Sequence, residues 1–534
     1  MNTSKRVLAI ITAMALIAGA GFASSAAAAQ DADKVADSTA DHGKFAELNK
    51  DFQSGPDVTK ACLVCHTEAA KQIHKTQHWN WEYRNPDTGQ LLGKRHVINN
   101  FCTSAASNLA DCASCHIGYG MKDDSFDFSA EEKVDCLVCH DNTGKYRKPL
   151  GFAGDVVTVN TEYPPHSGKI IRGINLREIA QKVGKTRREN CGACHFYGGG
   201  GDGVKHGDLD SSLDAPDHAL DVHMDVDGNN FSCATCHQTE GHQVPGSRYA
   251  PTAMDPGDAH LRGKAGAGNP ATCQACHGQV PHKNHAKLND HTDIVACQTC
   301  HIPAFARGDV PTRMVWDWST AGKRGSDGEP LEITDDDSYV TYVGSKGDFV
   351  LAENVTPDYV WFNGTVKYTL IGDELDTAQQ PIYINRFEGS ASDGKSMIWP
   401  IKTFRGKQPF DPVSKSLVVT HLYGHDDTGY WTNLDWEKAI GAGMATANRP
   451  FSGKVDFIET ISQWPITHMV APKEQALACN DCHVRGGRLD QVEGIHIPGR
   501  DHNPLLDRLG WLLAAITLAV VLLHGAVRIA RRKH

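Results

Sequence analysis

The sequence predicts a body of short α-helices and long loops, an insertion of mixed strands and loops, and one C-terminal transmembrane helix. Three observations lead to this prediction. The motif C-x-x-C-H occurs eight times and uses 16 of the 17 cysteines, seven of its copies crowd into residues 62–301, and residues 509–527 form an uncharged apolar run. The remaining composition, with 40% hydrophobic residues, is that of a globular protein.

The first 29 residues have the pattern of a secretory signal peptide. Lys5 and Arg6 precede an apolar stretch, and a cluster of alanines ends at Ala29, which suits cleavage there. Residues 30–55 are polar and rich in aspartate, and this composition predicts a flexible mature N-terminus. The whole chain has 53 basic and 64 acidic residues and a formal net charge of −11, which argues against a nucleic-acid binder.

The C-x-x-C-H motifs predict eight covalently bound haem c groups. In such a motif the two thiols form thioethers to the haem, and the histidine ligates the iron from the proximal side. A disulfide framework gives no reason for a histidine after every second cysteine, and eight identical units are a strange way to build zinc sites. Numbered 1 to 8 along the chain, the motifs are Cys62–Cys65–His66, Cys112–Cys115–His116, Cys136–Cys139–His140, Cys191–Cys194–His195, Cys233–Cys236–His237, Cys273–Cys276–His277, Cys297–Cys300–His301 and Cys479–Cys482–His483.

The spacing of the motifs predicts how the chain is divided. Motifs 1–7 occupy 240 residues, too few to give each haem its own domain, so the haems form much of the core of residues 56–310. Residues 311–465 carry no motif and contain strand-like runs at 348–351, 366–371 and 416–419. We expect this insertion to pack on the haem core and to cover the active site. Residues 466–485 then return to the core with motif 8.

The C-terminal residues predict a single membrane span. After a linker at residues 486–508, the apolar run 509–527 is long enough to cross a bilayer. The basic tail of residues 528–534 places the C-terminus in the cytoplasm. The body of the protein therefore lies on the periplasmic side of the inner membrane. His524 within the span faces either a membrane partner or water at the inner interface.

Histidines outside the motifs are candidates for the distal iron ligand. The chain has 28 histidines, and eight of them belong to motifs. A haem with histidine on both faces is coordinatively full and suits electron transfer, so most of the haems are predicted to be of this kind. The candidates close to motifs are His74, His78, His206, His223, His242, His282, His285, His291 and His468.

Two further features have no place in this pattern. Cys102, ten residues before motif 2, is the one cysteine outside the motifs. It is either a buried small apolar residue or a thiol that reacts with a sulfur substrate. After motif 4, four consecutive glycines allow close approach of the backbone to a haem or ligand, and Asp202, Lys205 and His206 follow them.

With these residues the sequence closely resembles the octahaem tetrathionate reductases, a family of multihaem cytochromes c. Beyond the motifs, the matching segments are NNFC at 99–102, GGGGDGVKHGDLD at 198–210, FEGS…GKSMIWPIK at 387–402 and ITHMVAPKEQALACNDCH at 466–483. The resemblance covers roughly residues 56–485. The membrane helix departs from the soluble pattern of the family.

The resemblance implies one catalytic haem with a lysine as its distal ligand and seven haems with two histidines. Here motif 2 would carry the catalytic haem, Lys205 would be the lysine, and Asp202 and Cys102 would line the same pocket. Family members reduce tetrathionate to thiosulfate, and also nitrite and hydroxylamine to ammonium. The implied substrate is thus a small inorganic anion.

The resulting prediction is a membrane-tethered periplasmic octahaem tetrathionate reductase. Its electrons would come from quinol through a cytochrome b-type membrane subunit or from another periplasmic donor. A nitrite, hydroxylamine or sulfite reductase on the same scaffold remains an alternative, as does a non-catalytic electron conduit. Calcium stays open as an additional cofactor, although the calcium-like segment DVDGNN (225–230) lacks the required glycine and glutamate positions, and a turn is the favoured interpretation there.

Overall fold

The computed structural model describes residues 38–254, 270–424 and 426–532, and the predicted signal peptide lies outside these residues. The body contains short helices joined by long loops, and only the last helix is long. In chain order the α-helices are α1 Gly55–Leu63, α2 Ala69–Ile73, α3 Gln77–Asn80, α4 Leu109–Cys112, α5 Leu137–His140, α6 Leu176–Gln181, α7 Arg188–His195, α8 Cys233–Cys236, α9 Gln274–His277, α10 Ala286–Asn289, α11 Cys297–His301, α12 Tyr430–Asn433, α13 Trp436–Thr446, α14 Cys479–Cys482 and α15 Pro504–Arg531. Short 3-10 helices lie at His42–Lys44, Ala46–Leu48, Ala113–Cys115, Glu131–Lys133, Ser211–Asp214, Trp318–Thr320 and Lys473–Gln475.

Each C-x-x-C-H motif coincides with a helix or the end of one. Motif 5, for example, forms α8, and motif 7 forms α11. Residues three apart on a helix point in nearly the same direction, so a helical turn places both cysteines of a motif on one side. The motif spacing therefore explains why the body consists of many helices of one or two turns.

Residues 42–52, which precede α1, are packed onto this body. The two 3-10 helices before α1 contribute Leu48 to an apolar cluster, and Phe52 joins it from the following turn. Val58 of α1 and Ile179 of α6 complete the contact. Residues 42–52, which the composition assigns to a flexible segment, thus contain two apolar side chains whose burial fixes the chain.

The insertion forms a ten-stranded mixed sheet. The strands are β7 Thr312–Asp317, β8 Glu332–Thr334, β9 Val340–Val343, β10 Gly347–Ala352, β11 Asp358–Phe362, β12 Val366–Tyr368, β13 Ile382–Phe387, β14 Met397–Asp411, β15 Ser416–Leu417 and β16 Asp456–Pro465. They lie in the order β12-β13-β16-β14-β7-β10-β9-β8, and β11 and β15 also pair with β14. The pairs β13–β16 and β14–β7 are parallel and the others are antiparallel. Six two-residue strands, β1 Tyr83–Arg84, β2 Leu91–Leu92, β3 Ile98–Asn99, β4 Thr103–Ser104, β5 Thr161–Glu162 and β6 Ile170–Ile171, form three small hairpin pairs.

Strand β14 joins the sheet to the helical body. It is buried along nearly its whole length and pairs with β16 over ten residues. The Ile398 carbonyl accepts bonds from the Thr299 hydroxyl at 2.7 Å and from the Ala296 amide at 3.1 Å, both at α11. The sheet is therefore continuous with the motif region, and the predicted insertion of strands and loops packed on a helical core is confirmed.

Helix α15 stands apart from the body. Asn503 caps its first turn and Pro504 occupies the first helical position, where proline is favoured. Its 28 residues have a mean hydropathy of 2.2 over the most apolar window, and none of that window is buried. The apolar C-terminal helix of membrane-spanning length predicted from residues 509–527 is confirmed, and it is the one such helix among residues 38–254, 270–424 and 426–532.

Candidate haem and catalytic sites

Histidine rings face one another in pairs across the helical body. In each of six pairs, one histidine belongs to a motif and the other does not, and the ring centres are 6.0–6.4 Å apart. With the motif histidine second, the pairs are His42 with His66, His78 with His195, His223 with His277, His468 with His237, His282 with His301 and His291 with His483.

This separation fits two imidazoles on opposite faces of one iron. An imidazole–metal bond is about 2 Å long, so the two ligating nitrogens on one iron are about 4 Å apart. Adding the distance of about 1 Å from each nitrogen to the centre of its ring puts the two ring centres about 6 Å apart. The hydrogen bonds fit as well. Nδ1 of His237 contacts the Pro245 carbonyl at 2.9 Å, and Nδ1 of His291 contacts the Lys287 carbonyl at 2.8 Å. A ligating histidine typically uses its second nitrogen in this way, so the residues present suit haem.

The histidine of motif 3, His140, has a candidate partner that would make a seventh pair. Nδ1 of His140 contacts the Gly184 carbonyl at 2.8 Å, and Nδ1 of His242 contacts Gln72 at 2.7 Å. Burial lowers the pKa of His242, and the charges of His140 and His66 lower it further, which places His242 close to both motif histidines. Since His66 already faces His42, His242 is the candidate partner of His140.

The structure brings six of the sequence candidates against a motif histidine and places three elsewhere. His74 stacks on Trp79 at 4.8 Å, His206 lies edge-on to Trp464 at 5.4 Å, and His285 is exposed before α10. The candidate that sequence reasoning missed is His42. In the sequence, Leu48 and Phe52 shortly after His42 are the sign that this polar segment is ordered, and both are buried.

The influence of one motif cysteine on the pKa of another indicates which motifs are neighbours. The strongest influences join motifs 1 and 3, 2 and 4, 4 and 5, and 6 and 7, in the pairs Cys62 with Cys136, Cys115 with Cys194, Cys191 with Cys233, and Cys273 with Cys297. Electrostatic proximity joins motifs 3 and 4, 5 and 6, and 7 and 8 through Cys139 with Cys191, Cys236 with Cys273, and Cys300 with Cys482. The motifs therefore follow one another as 1-3-4-5-6-7-8, and motif 2 branches from motif 4.

Motif 2 differs from the other seven. His116 is fully buried and is surrounded by the rings of Trp79, Trp81, Phe126 and Phe128, and none of its ring contacts within the described residues is with a histidine. Burial lowers the pKa of His116 to about 3. Its Nε2 contacts the Trp79 carbonyl at 2.6 Å, so ligation of an iron through Nε2 requires this imidazole to turn.

Lys205 lies in the same neighbourhood as motif 2. Its side chain is buried, and its ammonium lies 4.6 Å from the centre of the Trp464 ring. Burial lowers the pKa of Lys205 well below its usual range, and the charges of Arg248 and Lys94 lower it further. Lys205 acts directly on His195 of motif 4, and Lys94 acts on both His195 and His116 of motif 2. Val204 and Trp464 also share an apolar cluster with Cys102, so the surroundings of Lys205 extend from motif 4 to motif 2. A lowered pKa favours the neutral amine, whose free electron pair can bind a metal.

The loop that carries Lys205 is fixed by the sheet. Lys402 of β14 is fully buried and donates to the Val204 carbonyl at 2.9 Å and to the Thr312 hydroxyl at 2.5 Å. That hydroxyl donates to the Gly203 carbonyl at 2.6 Å. Gly203 and Gly199 have φ values of 62° and 86°, which favour glycine. Two side chains of the insertion thus hold the backbone immediately before Lys205.

Asp202 lies on this loop but is directed at the following 3-10 helix. Its carboxylate accepts hydrogen bonds from both the amide and the hydroxyl of Ser211. Its contribution to a substrate pocket stays a prediction.

Cys102 lies beside motif 2. Its charge acts on the pKa of Cys112, and its neighbours include the basic groups of Arg313 and Lys346. Burial raises the pKa of Cys102 to about 11, although these two cations oppose the shift. The thiol is therefore protonated at neutral pH, which makes it a weak nucleophile.

The calcium-like segment forms a turn. The Asp225 carboxylate accepts from the Asp227 amide at 3.0 Å and contacts His218 at 3.2 Å. Within the described residues, no group of three or more acidic, histidine or cysteine side chains could hold a metal ion.

Known proteins resemble the chain in both regions. The family "Cytochrome c554 and c-prime" matches residues 61–141, and the family "Cytochrome c bacterial" matches residues 313–486. An uncharacterized protein of Archaeoglobus fulgidus is 24% identical over 226 residues, which cover 35% of this chain and 74% of that protein.

A solved structure matches nearly the whole body. The crystal structure of an octahaem cytochrome c from Shewanella oneidensis superposes with a TM-score of 0.74 and is 41% identical in sequence. The match covers 88% of this chain and 98% of the other. At this identity and coverage, and with the motif histidines already paired for haem, the chain belongs to the octahaem cytochrome c family.

Proposed function

We propose that the protein binds eight haem c groups and is a membrane-tethered periplasmic reductase that converts tetrathionate to thiosulfate. The bound haems supply the electron transfer, both along the row of motifs and to the substrate. The reaction breaks the central S–S bond of tetrathionate with two electrons and yields two thiosulfate ions. It needs no proton.

One observation carries this proposal. Six motif histidines have a second histidine ring 6.0–6.4 Å away, and His140 has the candidate partner His242. His116 of motif 2 is surrounded by aromatic rings, and Lys205, a buried lysine with a lowered pKa, lies in the region between motifs 4 and 2. Lysine is more easily displaced than histidine, because a released amine takes up a proton far more readily than a released imidazole; their ordinary pKa values are about 10.4 and about 6.5. A site of this kind can release its ligand and admit a substrate, and a purely electron-conducting protein has no need of one.

The charges around motif 2 suit an anionic substrate. Arg248 and Lys94 lie close enough to Lys205 to lower its pKa, and Arg313 and Lys346 lie next to Cys102. This concentration of basic side chains contrasts with the net charge of −11 of the chain. Fixed positive groups in a site of low polarity strongly stabilise a bound anion and the negative charge that develops on it.

Proton supply favours tetrathionate over nitrite, hydroxylamine and sulfite. Reducing nitrite to ammonium consumes six electrons and eight protons, and reducing hydroxylamine or sulfite also consumes protons. Asp202 is occupied by Ser211. Burial raises the pKa of Tyr423, the phenol near Cys102 and Cys112, well above its usual range, so it holds its proton tightly. A reaction that needs only electrons is therefore the one these residues support best.

The test of the ligand compares Lys205→Ala with Lys94→Ala. We expect Lys205→Ala to convert one low-spin haem to high spin in the electron paramagnetic resonance spectrum, with the haem content unchanged, and to lower tetrathionate turnover. Lys94→Ala should retain the low-spin spectrum. A spectrum changed only by Lys94→Ala would assign the ligand to Lys94, and eight bis-histidine signals in the unaltered protein would favour an electron conduit.

The test of the substrate is reoxidation of the reduced protein. Tetrathionate, nitrite, hydroxylamine and sulfite are each mixed with it anaerobically, and the absorbance of the reduced haems is followed. We expect tetrathionate to reoxidise the protein fastest. If nitrite or hydroxylamine is faster and Lys205→Ala abolishes that reaction, the site is correct and the substrate is wrong.

Helix α15 supports a membrane location for this activity. Its length and apolar character suit a single span, and a predicted signal peptide would export the preceding body. We propose that electrons come from quinol through a membrane subunit of the cytochrome b type.

A further inference from the structure

We infer that electrons enter the protein at motif 8, from a quinol-oxidising membrane protein that docks beside it. The main evidence is that the chain between motif 8 and helix α15 is folded onto motif 8. The inference rests on the proposed function only in taking the protein to be membrane-bound and reduced by quinol. It does not depend on the identity of the substrate.

The segment that leads to the membrane contacts the motif 8 histidine directly. Nδ1 of His483 is 2.9 Å from the Pro498 carbonyl. Gly499 packs so closely that a Cβ atom on it would be 2.2 Å from the His483 carbonyl oxygen. Pro504, the first residue of α15, is six residues after Pro498, and six extended residues span about 20 Å at most. Motif 8 therefore lies within about 20 Å of the start of the membrane helix.

This segment is rigid because one arginine holds it together. The Arg500 guanidinium donates to the carbonyls of Leu489, Val492 and Ile495 at 2.6–2.8 Å and pairs with Asp501 at 2.8 Å. Charge-assisted bonds of this kind are the stronger class. The turn from residue 489 to residue 501 is thus fixed to itself.

Apolar contacts fix the same segment to the body. Leu489, Val492 and Ile497 pack in one cluster with Tyr359 and Ile398 of the sheet. At the other end Asn503 accepts from the Leu505 amide at 3.1 Å and so begins α15 directly after this unit. The membrane helix and motif 8 are therefore joined by a structured connection, in contrast to a free linker that would leave every motif able to approach the membrane.

The order of the motifs agrees with this assignment. Motif 8 is one end of the row 1-3-4-5-6-7-8, and motif 2 branches from motif 4. Electrons that enter at motif 8 pass motifs 7, 6, 5 and 4 before they reach motif 2. A donor at the opposite end would face motif 1, which has no tether to the membrane.

The partner is a membrane protein that oxidises quinol to quinone and presents a one-electron carrier at the periplasmic surface. Each quinol gives up two electrons and releases two protons to water. The electrons pass singly into motif 8, and two of them suffice to cleave one tetrathionate. Donor and acceptor stoichiometries therefore match.

The experiment compares the two ends of the row in full-length protein in its native membranes. His291 faces His483 of motif 8, and His42 faces His66 of motif 1. The variants His291→Ala and His42→Ala are mixed anaerobically with a short-chain quinol, without any acceptor, and the absorbance of reduced haem c is followed by stopped flow. We expect His291→Ala to slow reduction by an order of magnitude more than His42→Ala does. Dithionite, which reduces haems from solution, should reduce both variants at similar rates.

A second variant keeps the test independent of ligand removal. A flexible glycine–serine insert between His502 and Asn503 leaves every motif and the cap of α15 intact. It should slow reduction by quinol and leave reduction by dithionite unchanged. The assignment would be overturned if His42→Ala slowed reduction by quinol more than His291→Ala does, or if the insert left the rate of reduction by quinol unchanged. Because no substrate is present, a failure of the tetrathionate proposal leaves this result unchanged.

Discussion

Replacing Lys402 by methionine should displace Lys205 without unfolding the protein. Lys402 is buried in β14 and makes two hydrogen bonds, to the Val204 carbonyl and the Thr312 hydroxyl. Methionine has a similar length and no donor. The variant therefore removes one of the two side chains that hold the loop before Lys205.

The expected size of the effect follows from these contacts. A carbonyl left without its donor inside the protein costs about 1–3 kcal/mol. Burial lowers the pKa of Lys402 well below its usual range, so the side chain is a neutral amine. Its replacement by an apolar side chain removes the cost of burying that polar group and so offsets part of the loss. The free energy of unfolding should thus change by less than about 2 kcal/mol. The loop itself loses a hydrogen bond from a neutral amine, worth about 0.5–1.5 kcal/mol, so its displaced position becomes about two- to tenfold more populated.

The assay is electron paramagnetic resonance of the oxidised protein, together with thermal unfolding. We expect a partial high-spin signal in Lys402→Met and a smaller one in Thr312→Val, which removes only the bond to the Gly203 carbonyl. Lys402→Arg should restore part of the low-spin signal. An unchanged spectrum in Lys402→Met, with the variant folded, would refute the idea that this lysine positions Lys205.

Three further predictions concern the pocket and the tether. Cys102→Ser should lower tetrathionate and hydroxylamine reduction to the same degree, because a thiol with a pKa of about 11 is protonated near pH 7; a selective loss of tetrathionate reduction would show that the thiol reacts with sulfur. Burial raises the pKa of Asp210 from 3.8 to about 6. Between these pH values the folded protein holds a proton that the unfolded chain has lost. The free energy of unfolding should therefore fall as the pH rises from about 4 to about 6, by about 3 kcal/mol at most. Asp210→Asn should flatten this dependence in chemical unfolding at pH 4 and pH 7, and an identical slope in both proteins would contradict it. Truncation after His502 should yield a soluble protein that reduces tetrathionate with reduced viologen but not with quinol in membranes, and retained quinol activity would exclude α15 as the link to the donor.

The sequence was sufficient for the parts of the structure that depend on local pattern. The motifs predicted short helices around haems, the apolar run predicted α15, and the strand-like runs near residues 348, 366 and 416 correspond to strands of the sheet. The long pairing of β14 with β16 could not be read from these runs, because it joins residues 46 to 64 positions apart, from Phe410 with Asp456 to Ile401 with Pro465.

The ligand pairs show why the site itself was harder to predict. His78 faces His195 and His468 faces His237, so a distal histidine need not serve the motif nearest to it in sequence. His206 adjoins Lys205 yet lies against Trp464, and His42 pairs with His66 from a segment that composition describes as flexible. Which histidine meets which motif is decided by packing between distant segments.

These pairs also have a consequence for the entropy of the unfolded chain. A covalently attached haem whose iron binds a second histidine closes a loop, as a disulfide does. The pair of His237 and His468 closes a loop of about 231 residues, and the pair of His42 and His66 closes one of about 24. Because the entropy of closure grows with the logarithm of loop length, the longer loop restricts the unfolded chain by about 2 kcal/mol more. With the proposed ligation, the fifth attachment site would therefore contribute more to the resistance of the protein to unfolding than the first, although each would have two histidine ligands.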